Sequence, residues 1–128
     1  MAKNAKKKKA SVLIVDDDAL MREVLRTVLR EGEFDVVGDA SNGEDAADLC
    51  AKLKPDVVLL DINMPRLDGI DGLARIRANS PACKVIMISS AATVDRVRDA
   101  VAGGAAGFIV KPFNAGRVLQ EIEDLLRK

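Results

Sequence analysis

Val57-Val58-Leu59-Leu60-Asp61 is the most informative segment for the fold, because four apolar residues are followed at once by a carboxylate. A short run that is apolar at every position is typical of a central parallel strand, because helices cover both of its faces. Similar runs, rich in Val and Ile and separated by segments with apolar residues at helical spacing, occur at residues 11–16, 34–39, 85–88 and 108–110. Since the intervening helices must cross over, the pattern predicts a doubly wound α/β fold with a parallel sheet.

The predicted helices carry recognisable signals at their ends. The first should end at Gly32 and bury one apolar stripe, formed by Leu20, Val24, Leu25, Val28 and Leu29. Ser41 and Glu44 have the spacing of a capping box that opens a second helix reaching Leu53. A third helix is expected to continue to about residue 78, and a fourth to span residues 93–101 before two glycines. The last helix should begin after an N-cap at Asn114 and bury Val118, Ile122 and Leu125.

Composition predicts one soluble domain. The chain has 128 residues, of which 48% are hydrophobic and 31% charged, as expected of a single globular unit. Because no apolar run has the length of a signal peptide or a membrane span, we expect the protein in the cytoplasm. Cys50 and Cys83 lie in apolar patterns and lack Cys-x-x-Cys spacing, so they are predicted to be reduced, buried thiols.

Charge is distributed unevenly along the chain. Five lysines lie within residues 1–10, and the remaining chain has fifteen basic against twenty acidic residues, a net charge of −5. We therefore predict a basic, disordered arm over residues 1–10 followed by a folded domain over residues 11–128. A mildly acidic body argues against direct binding of nucleic acid, and a lysine run without a second anchor argues against membrane attachment.

Polar side chains follow four of the predicted strands. Because the carboxyl ends of parallel strands meet at one edge of a sheet, we expect these side chains to converge. They are Asp16 and Asp17, Asp61, Ser89 and Lys111. Three carboxylates held together repel one another unless a cation lies between them. With oxygen ligands and no histidine in the chain, the pattern favours Mg²⁺, or Mn²⁺ in its place, over zinc. A metal, a hydroxyl and an ammonium around Asp61 would allow its carboxylate to accept a phosphoryl group.

These motifs closely resemble the receiver domains of response regulators in two-component signalling, over about residues 11–126. The matching pieces are Val15-Asp16-Asp17, Asp61 with Met64-Pro65 and Asp68-Gly69, Ser89, and Lys111-Pro112-Phe113. The resemblance implies a flavodoxin-like sheet of five strands in the order 2-1-3-4-5, with five helices. From the residues alone, Asp68-Gly69 is turn chemistry that shapes the loop beside Asp61.

The resemblance also implies how the metal would be held. Asp61 would be the phosphoacceptor, and Asp16 and Asp17 would position the metal, with Asp17 as a direct ligand. Asp61 and the main-chain carbonyl of Asn63 would complete the ligands that the protein supplies. From the sequence alone, Asp16 and Asp17 could instead cap the first helix, whereas Asp18 is better explained as a local cap.

Further roles follow from the same resemblance. Ser89 would be the switch hydroxyl that reaches the phosphoryl oxygen, and Lys111 would pair with the phosphoryl group. The Lys111–Pro112 peptide bond is usually cis in this family. Phe108 stands at the aromatic switch position where many relatives have Tyr, so a hydroxyl that could bond a partner is lacking. Asn63 and Ala91 would flank the phosphate and tune its lifetime, with Ala91 leaving access to small donors or a phosphatase.

Partners are implied in the same way. Because the chain has no histidine, a sensor histidine kinase or a histidine phosphotransfer protein would have to supply the phosphoryl group. The output would be contact with a downstream effector through the fourth helix, fifth strand and fifth helix. We expect a monomer, with phosphorylation-dependent dimerisation as the alternative. The protein would catalyse only its own phosphorylation and dephosphorylation.

Other classes of function use some of the same parts. A haloacid-dehalogenase-type phosphohydrolase also has an aspartyl nucleophile, but it needs an acid two residues later, where Asn63 stands. A nucleotide- or flavin-binding protein would place Gly, Ser or Thr after the first strand, where the aspartates at 16–18 would repel phosphate. An interaction module that does not depend on phosphorylation is a further alternative.

Overall fold

A parallel sheet forms the middle layer of the computed structural model, which describes residues 9–62, 64, 69–90 and 93–127. The strands are β1 (Ser11–Val15), β2 (Asp35–Ala40), β3 (Val57–Asp61), β4 (Lys84–Ser89) and β5 (Gly107–Val110). The helices are α1 (Ala19–Glu31), α2 (Gly43–Leu53), α3 (Gly69–Asn79), α4 (Val94–Ala102) and α5 (Ala115–Arg127). Neighbouring strands pair in parallel in the order β2-β1-β3-β4-β5. The predicted class and strand order are therefore confirmed.

Strand β3 lies at the centre, and all five of its residues are buried. Alternate side chains of the central strands point to opposite faces and enter two separate apolar clusters. Leu60 packs with Cys50 of α2 and Ile76 of α3, whereas Leu59 packs with Leu29 of α1 and Ile122 of α5. Helices thus cover both faces of the sheet, which explains why β3 is apolar at every position.

The apolar stripe of α1 is shorter than predicted. Leu25, Val28 and Leu29 are buried, but Leu20 is 72% and Val24 43% exposed, so the prediction for these two residues is wrong. Met21 packs against the apolar cluster that contains Leu25, so the side of α1 that faces the sheet runs through residues 21, 25, 28 and 29, and Leu20 and Val24 lie beside it. Gly32 ends the helix as predicted, with its N–H donating to the carbonyl of residue 28 at 3.0 Å.

The N-cap of α2 is Asn42 and not Ser41, so the predicted capping box is wrong by one residue. The Asn42 side chain accepts a hydrogen bond from the N–H of Asp45 at 2.8 Å. Asn caps a helix at least as well as Ser does, so local preference alone does not distinguish position 41 from position 42 as the N-cap. The predicted cap of α5 is confirmed, because Asn114 Oδ1 accepts from the N–H of Arg117 at 2.8 Å.

Two further predictions concern the cysteines and the N-terminal segment. Cys50 and Cys83 are free and buried, as predicted. Burial, followed by the neighbouring Cys83 thiol, raises the pKa of Cys50 to about 12. The predicted arm is wrong at residues 9 and 10: the Lys9 N–H donates to the carbonyl of Glu33 at 3.1 Å, Lys9 Nζ donates to Glu123 of α5 at 2.7 Å, and Ala10 is buried in the core. Residues 1–8 lie outside the described residues, so the arm stays a prediction there. Across the described ranges, no helix is long and apolar enough to cross a membrane.

Candidate metal and phosphorylation site

The carboxyl edge of the sheet brings the predicted polar residues together. Asp61 ends β3 and Ser89 ends β4, while Asp16 and Lys111 directly follow β1 and β5. In the strand register Asp61 lies opposite Ile88, the neighbour of Ser89, and Ser89 in turn lies opposite Val110. Parallel pairing alone therefore places these four residues at one edge.

Three carboxylates form a compact group at this edge. Asp16, Asp17 and Asp61 each offer an oxygen, and these oxygens lie within 4.8 Å of one another. Asp16 is 1% and Asp61 4% exposed, while Asp17 is open to solvent. Mutual repulsion disfavours three charges here, and for Asp16 and Asp61 burial adds to the cost. A hard divalent cation reached from the side of Asp17 would offset both costs.

The two oxygens of Asp16 are already engaged. Oδ1 accepts from the N–H of Asp18 at 2.9 Å, and Oδ2 accepts from Lys111 Nζ at 3.1 Å. Within the described ranges, no hydrogen bond or ion pair involves the carboxylate of Asp17. Asp17 is accordingly the better placed of the two to coordinate a metal directly. Asp18 is the N-cap of α1 and accepts from the N–H of Leu20, as its local prediction stated.

Lys111 joins the carboxylates of two strands. Its Nζ lies 3.1 Å from Asp16 Oδ2 and 3.6 Å from Asp61 Oδ1. Burial by itself disfavours the ammonium, but the combined attraction of Asp61 and Asp16 outweighs it and raises the pKa of Lys111. Lys111 is therefore a cation throughout the neutral range, directed at Asp61. The Lys111–Pro112 peptide bond is cis, the conformation that the resemblance implied.

The switch candidates lie on β4, which pairs with β3, and on β5, which pairs with β4 at the edge of the sheet. Ser89 is fully buried, and Phe108 of β5 is partly buried against the cluster that contains Leu60. Phe108 lies opposite Met87 in the register, two residues before the partner of Ser89. Ser89 and Phe108 therefore lie on adjacent strands, and the switch roles predicted for them stay predictions. Asn63 and Ala91, together with Pro65 and Asp68, lie outside the described residues, so the predictions made for them stay predictions.

Gly69 has a larger part at this site than turn chemistry suggested. Its N–H donates to the carbonyl of Ile62 at 2.8 Å. A Cβ built on Gly69 would lie 2.4 Å from the carbonyl oxygen of Asp61 and 2.5 Å from Ile62 Cα. Both atoms are main chain and cannot rotate away. Only a residue without a side chain allows α3 to start this close to Asp61.

A cavity of about 380 Å³ opens beside Lys111. Its lining is mostly apolar and comes from α1 and from the segments that follow β4 and β5. The residues are Met21, Val24, Ser90, Lys111, Pro112 and Phe113. The carboxylate edge is thus bordered by an apolar cavity on the side of α1. This cavity was not predicted, because the helical spacing of Val24 indicates a buried side chain.

Comparisons with known proteins agree with this geometry. Residues 12–123 match the family model of the response regulator receiver domain. The chemotaxis protein CheY of Listeria monocytogenes is 46% identical over 112 residues, which are 88% of this chain and 94% of that protein. CheY of Bacillus subtilis is 42% identical over 115 residues, or 90% and 96% of the two chains. The structure of a CheX–CheY–BeF₃–Mg²⁺ complex from Borrelia burgdorferi superposes with a TM-score of 0.89 and 35% identity, covering 92% of this chain and 90% of that chain.

Proposed function

Because this chain belongs to the response-regulator receiver family, whose members are switches controlled by phosphorylation of an aspartate, we propose that its phosphoacceptor is Asp61. One observation carries the assignment: the Lys111 ammonium and the carboxylates of Asp16 and Asp17 converge on Asp61 at the end of the central strand. The chain would act as a signalling switch, and any catalysis would be limited to its own phosphorylation and dephosphorylation.

Receiver domains bind Mg²⁺ through an acidic pocket, and the residues present here suit that ion. We propose that Asp17, Asp61 and the main-chain carbonyl of Asn63 hold Mg²⁺, or Mn²⁺ in its place, while Asp16 positions the site. The donor set consists of oxygens only, which magnesium prefers. The bound ion would supply charge neutralisation for the incoming phosphoryl group.

The proposed transfer uses Asp61 as the nucleophile. A carboxylate oxygen of Asp61 attacks phosphorus, an O–P bond forms, and the P–N bond to the donor histidine breaks, leaving an acyl phosphate on this chain. Lys111, which its neighbours keep protonated, pairs with the phosphoryl oxygens. The hydroxyl of Ser89 donates to one of them, and Phe108 follows inward behind it. These new contacts would bias an existing equilibrium toward the active conformation.

Partners follow from the family, which works with histidine kinases and effector proteins. We propose that a sensor histidine kinase or a histidine phosphotransfer protein phosphorylates Asp61 in the cytoplasm. The proposed output surface is the α4–β5–α5 face. Large apolar side chains are exposed on all three of these elements, although Ala100 of α4 and Ile109 of β5 are buried. They are Val94, Val101, Val110 and Leu126. The unphosphorylated form would be monomeric, with dimerisation on phosphorylation as the alternative.

Two further proposals concern how long the signal lasts and how the chain is organised. Ala91 would leave the phosphoryl group accessible to small donors and to a phosphatase, and Asn63 would be the second position that sets the lifetime of the acyl phosphate. Residues 1–8 would be a basic arm outside the receiver domain, since Lys9 and Ala10 are already hydrogen-bonded to the domain. The protein would bind neither nucleic acid nor membrane directly.

The test is phosphorylation by a small acyl phosphate, with and without Mg²⁺, followed by intact mass. We expect one Mg²⁺-dependent phosphoryl adduct on the wild type and none on Asp61→Asn. Asp48→Asn is the matched control, because Asp48 is an exposed aspartate on α2 and should leave the adduct unchanged. An adduct that persists in Asp61→Asn would contradict the assignment. Continuous hydrolysis of unrelated phosphate esters would indicate a phosphohydrolase instead.

A further inference from the structure

Arg22, in the second turn of α1, reaches back to the corner that carries two of the three carboxylates. Its Nη1 donates to the main-chain carbonyl of Asp16 at 2.6 Å. That carbonyl belongs to the same peptide group as the N–H of Asp17. The contact therefore orients the peptide plane from which the Asp17 carboxylate projects.

Each other polar group of Asp16 already has a partner. Its N–H donates to the carbonyl of Ala40 on β2 at 3.1 Å, and its two carboxylate oxygens accept from the Asp18 N–H and from Lys111 Nζ. Arg22 supplies the remaining bond, to the carbonyl. Because Asp16 is buried, leaving its carbonyl without this hydrogen-bond donor would reduce the stability of the folded state. A rotation of the peptide to find another donor would carry Asp17 with it.

The charge of Arg22 does not explain its position. Its Nε lies 3.7 Å from Asp39 Oδ2, so an acid outside the site neutralises the guanidinium. Arg26, one turn further along α1, hydrogen-bonds the same Asp39 oxygen through Nη2 and pairs with Glu23 at 3.2 Å. The two arginines share a helix and an ionic partner. Of the two, Arg22 also bonds the main chain at the carboxylate edge.

We propose that Arg22 is a positioning residue for the metal: it holds the Asp16–Asp17 peptide in the orientation that lets Asp17 coordinate the ion. This inference rests on the proposed metal site. It assigns to α1 a part in metal affinity that acts through the backbone and requires no contact between Arg22 and the ion. Outer partners of this kind typically change metal affinity by about 10- to 100-fold when removed.

The direction of the effect separates positioning from electrostatics. Removing a cation near a divalent ion should strengthen binding of that ion if charge is what matters. If Arg22 acts by orienting the peptide, its removal should weaken binding instead. Arg26→Gln removes the same charge from the same Asp39 pair and leaves the Asp16 carbonyl bond in place, so it is the matched control.

The experiment measures the Mg²⁺ dissociation constant by titration calorimetry on the full chain, at one ionic strength, for wild type, Arg22→Gln and Arg26→Gln. Urea unfolding of the same samples establishes that each variant is folded. We expect Arg22→Gln to raise the dissociation constant by about ten-fold and Arg26→Gln to change it by less than about two-fold. An unchanged or lower constant in Arg22→Gln, or an equal rise in both variants, would overturn the proposal.

Two further outcomes are distinguishable. Failure of the wild type to bind Mg²⁺ would overturn the metal site itself and the role of Arg22 with it. If Arg22→Gln does not fold, Arg22→Lys and Arg26→Lys replace it, since both keep the charge and lose the forked guanidinium. Weaker Mg²⁺ binding confined to Arg22→Lys then supports the inference, and equal constants in the two lysine variants contradict it.

Discussion

Gly69→Ala adds a single methyl group at the point where α3 starts against the end of β3. The added Cβ would lie 2.4 Å from the carbonyl oxygen of Asp61 and 2.5 Å from Ile62 Cα. Neither atom belongs to a side chain that could rotate. Either α3 moves outward or the main chain of Asp61 does.

The distances set the size of the effect. Ordinary van der Waals contact begins at 3.4 Å, so the contact at 2.4 Å requires a backbone displacement of about 1 Å. A displacement of about 1 Å in a positioned reacting group can cost on the order of 100-fold in rate. Overpacking of this kind also destabilises a protein by about 1–3 kcal/mol. We therefore expect Gly69→Ala to slow phosphorylation by about 100-fold and to lower the free energy of unfolding by about 2 kcal/mol.

The assay is the rate of adduct formation from a small acyl phosphate at saturating Mg²⁺, followed by intact mass. Unfolding in urea is followed by far-ultraviolet circular dichroism, because the chain has neither Trp nor Tyr. Gly116→Ala is the matched control: the second residue of α5 would place its Cβ 3.4 Å from Asn114 Oδ1, an acceptable contact. It should phosphorylate at the wild-type rate and gain up to about 1 kcal/mol in stability, as expected for Gly→Ala in a helix.

A normal rate in a destabilised Gly69→Ala would mean that α3 absorbs the displacement, and that Gly69 does not position Asp61. A normal rate with normal stability would refute the steric argument altogether. The two failures differ, because only the second contradicts the close approach itself.

Three other variants test the core, the helix cap and the buried thiol. Leu25→Ala should lower the free energy of unfolding in urea by about 2–5 kcal/mol because Leu25 is buried. Leu20→Ala should lower it by less than about 0.5 kcal/mol because Leu20 is exposed. Similar losses in the two variants would contradict the burial of Leu25 and the exposure of Leu20. Asp18→Ala should remove about 1 kcal/mol of stability through the lost N-cap and leave the phosphorylation rate unchanged, since the Asp18 N–H that bonds the carboxylate cluster remains. Burial raises the pKa of Cys50 from 9.0 to about 12, so between these pH values the native state keeps a proton that the unfolded state releases. The contribution of Cys50 to the free energy of unfolding should therefore be fully present below pH 9. It should be lost with a slope of up to about 1.4 kcal/mol per pH unit as the pH rises toward 12. Urea unfolding at several pH values should show this slope reduced in Cys50→Ala, and parallel pH profiles would argue against it.

Local patterns determined most of the architecture. Each predicted strand end lies within one residue of its position in the structure, because continuous apolar runs and the polar residues after them mark where a buried strand stops. The errors arose where two local solutions are nearly equal in energy or where packing is absent. Ser41 and Asn42 are both good N-cap residues. Asn42 is the cap because α2 begins at the next residue, Gly43. Leu20 continues the helical spacing, but the neighbouring Met21, and not Leu20, packs against the core.

The strands, the helices that cross over between them and the carboxylates at the strand ends are all predictable from local patterns, since each is encoded by neighbouring residues. The groups that directly contact those carboxylates are known only from the folded structure. The reach of Arg22 to the Asp16 carbonyl and the space that Gly69 leaves for Asp61 depend on how separate elements meet. Periodicity records which face of an element is buried, but it carries no information about the distance between atoms on different elements. That distance is set by packing, and at this edge of the sheet packing decides which residues support the chemistry.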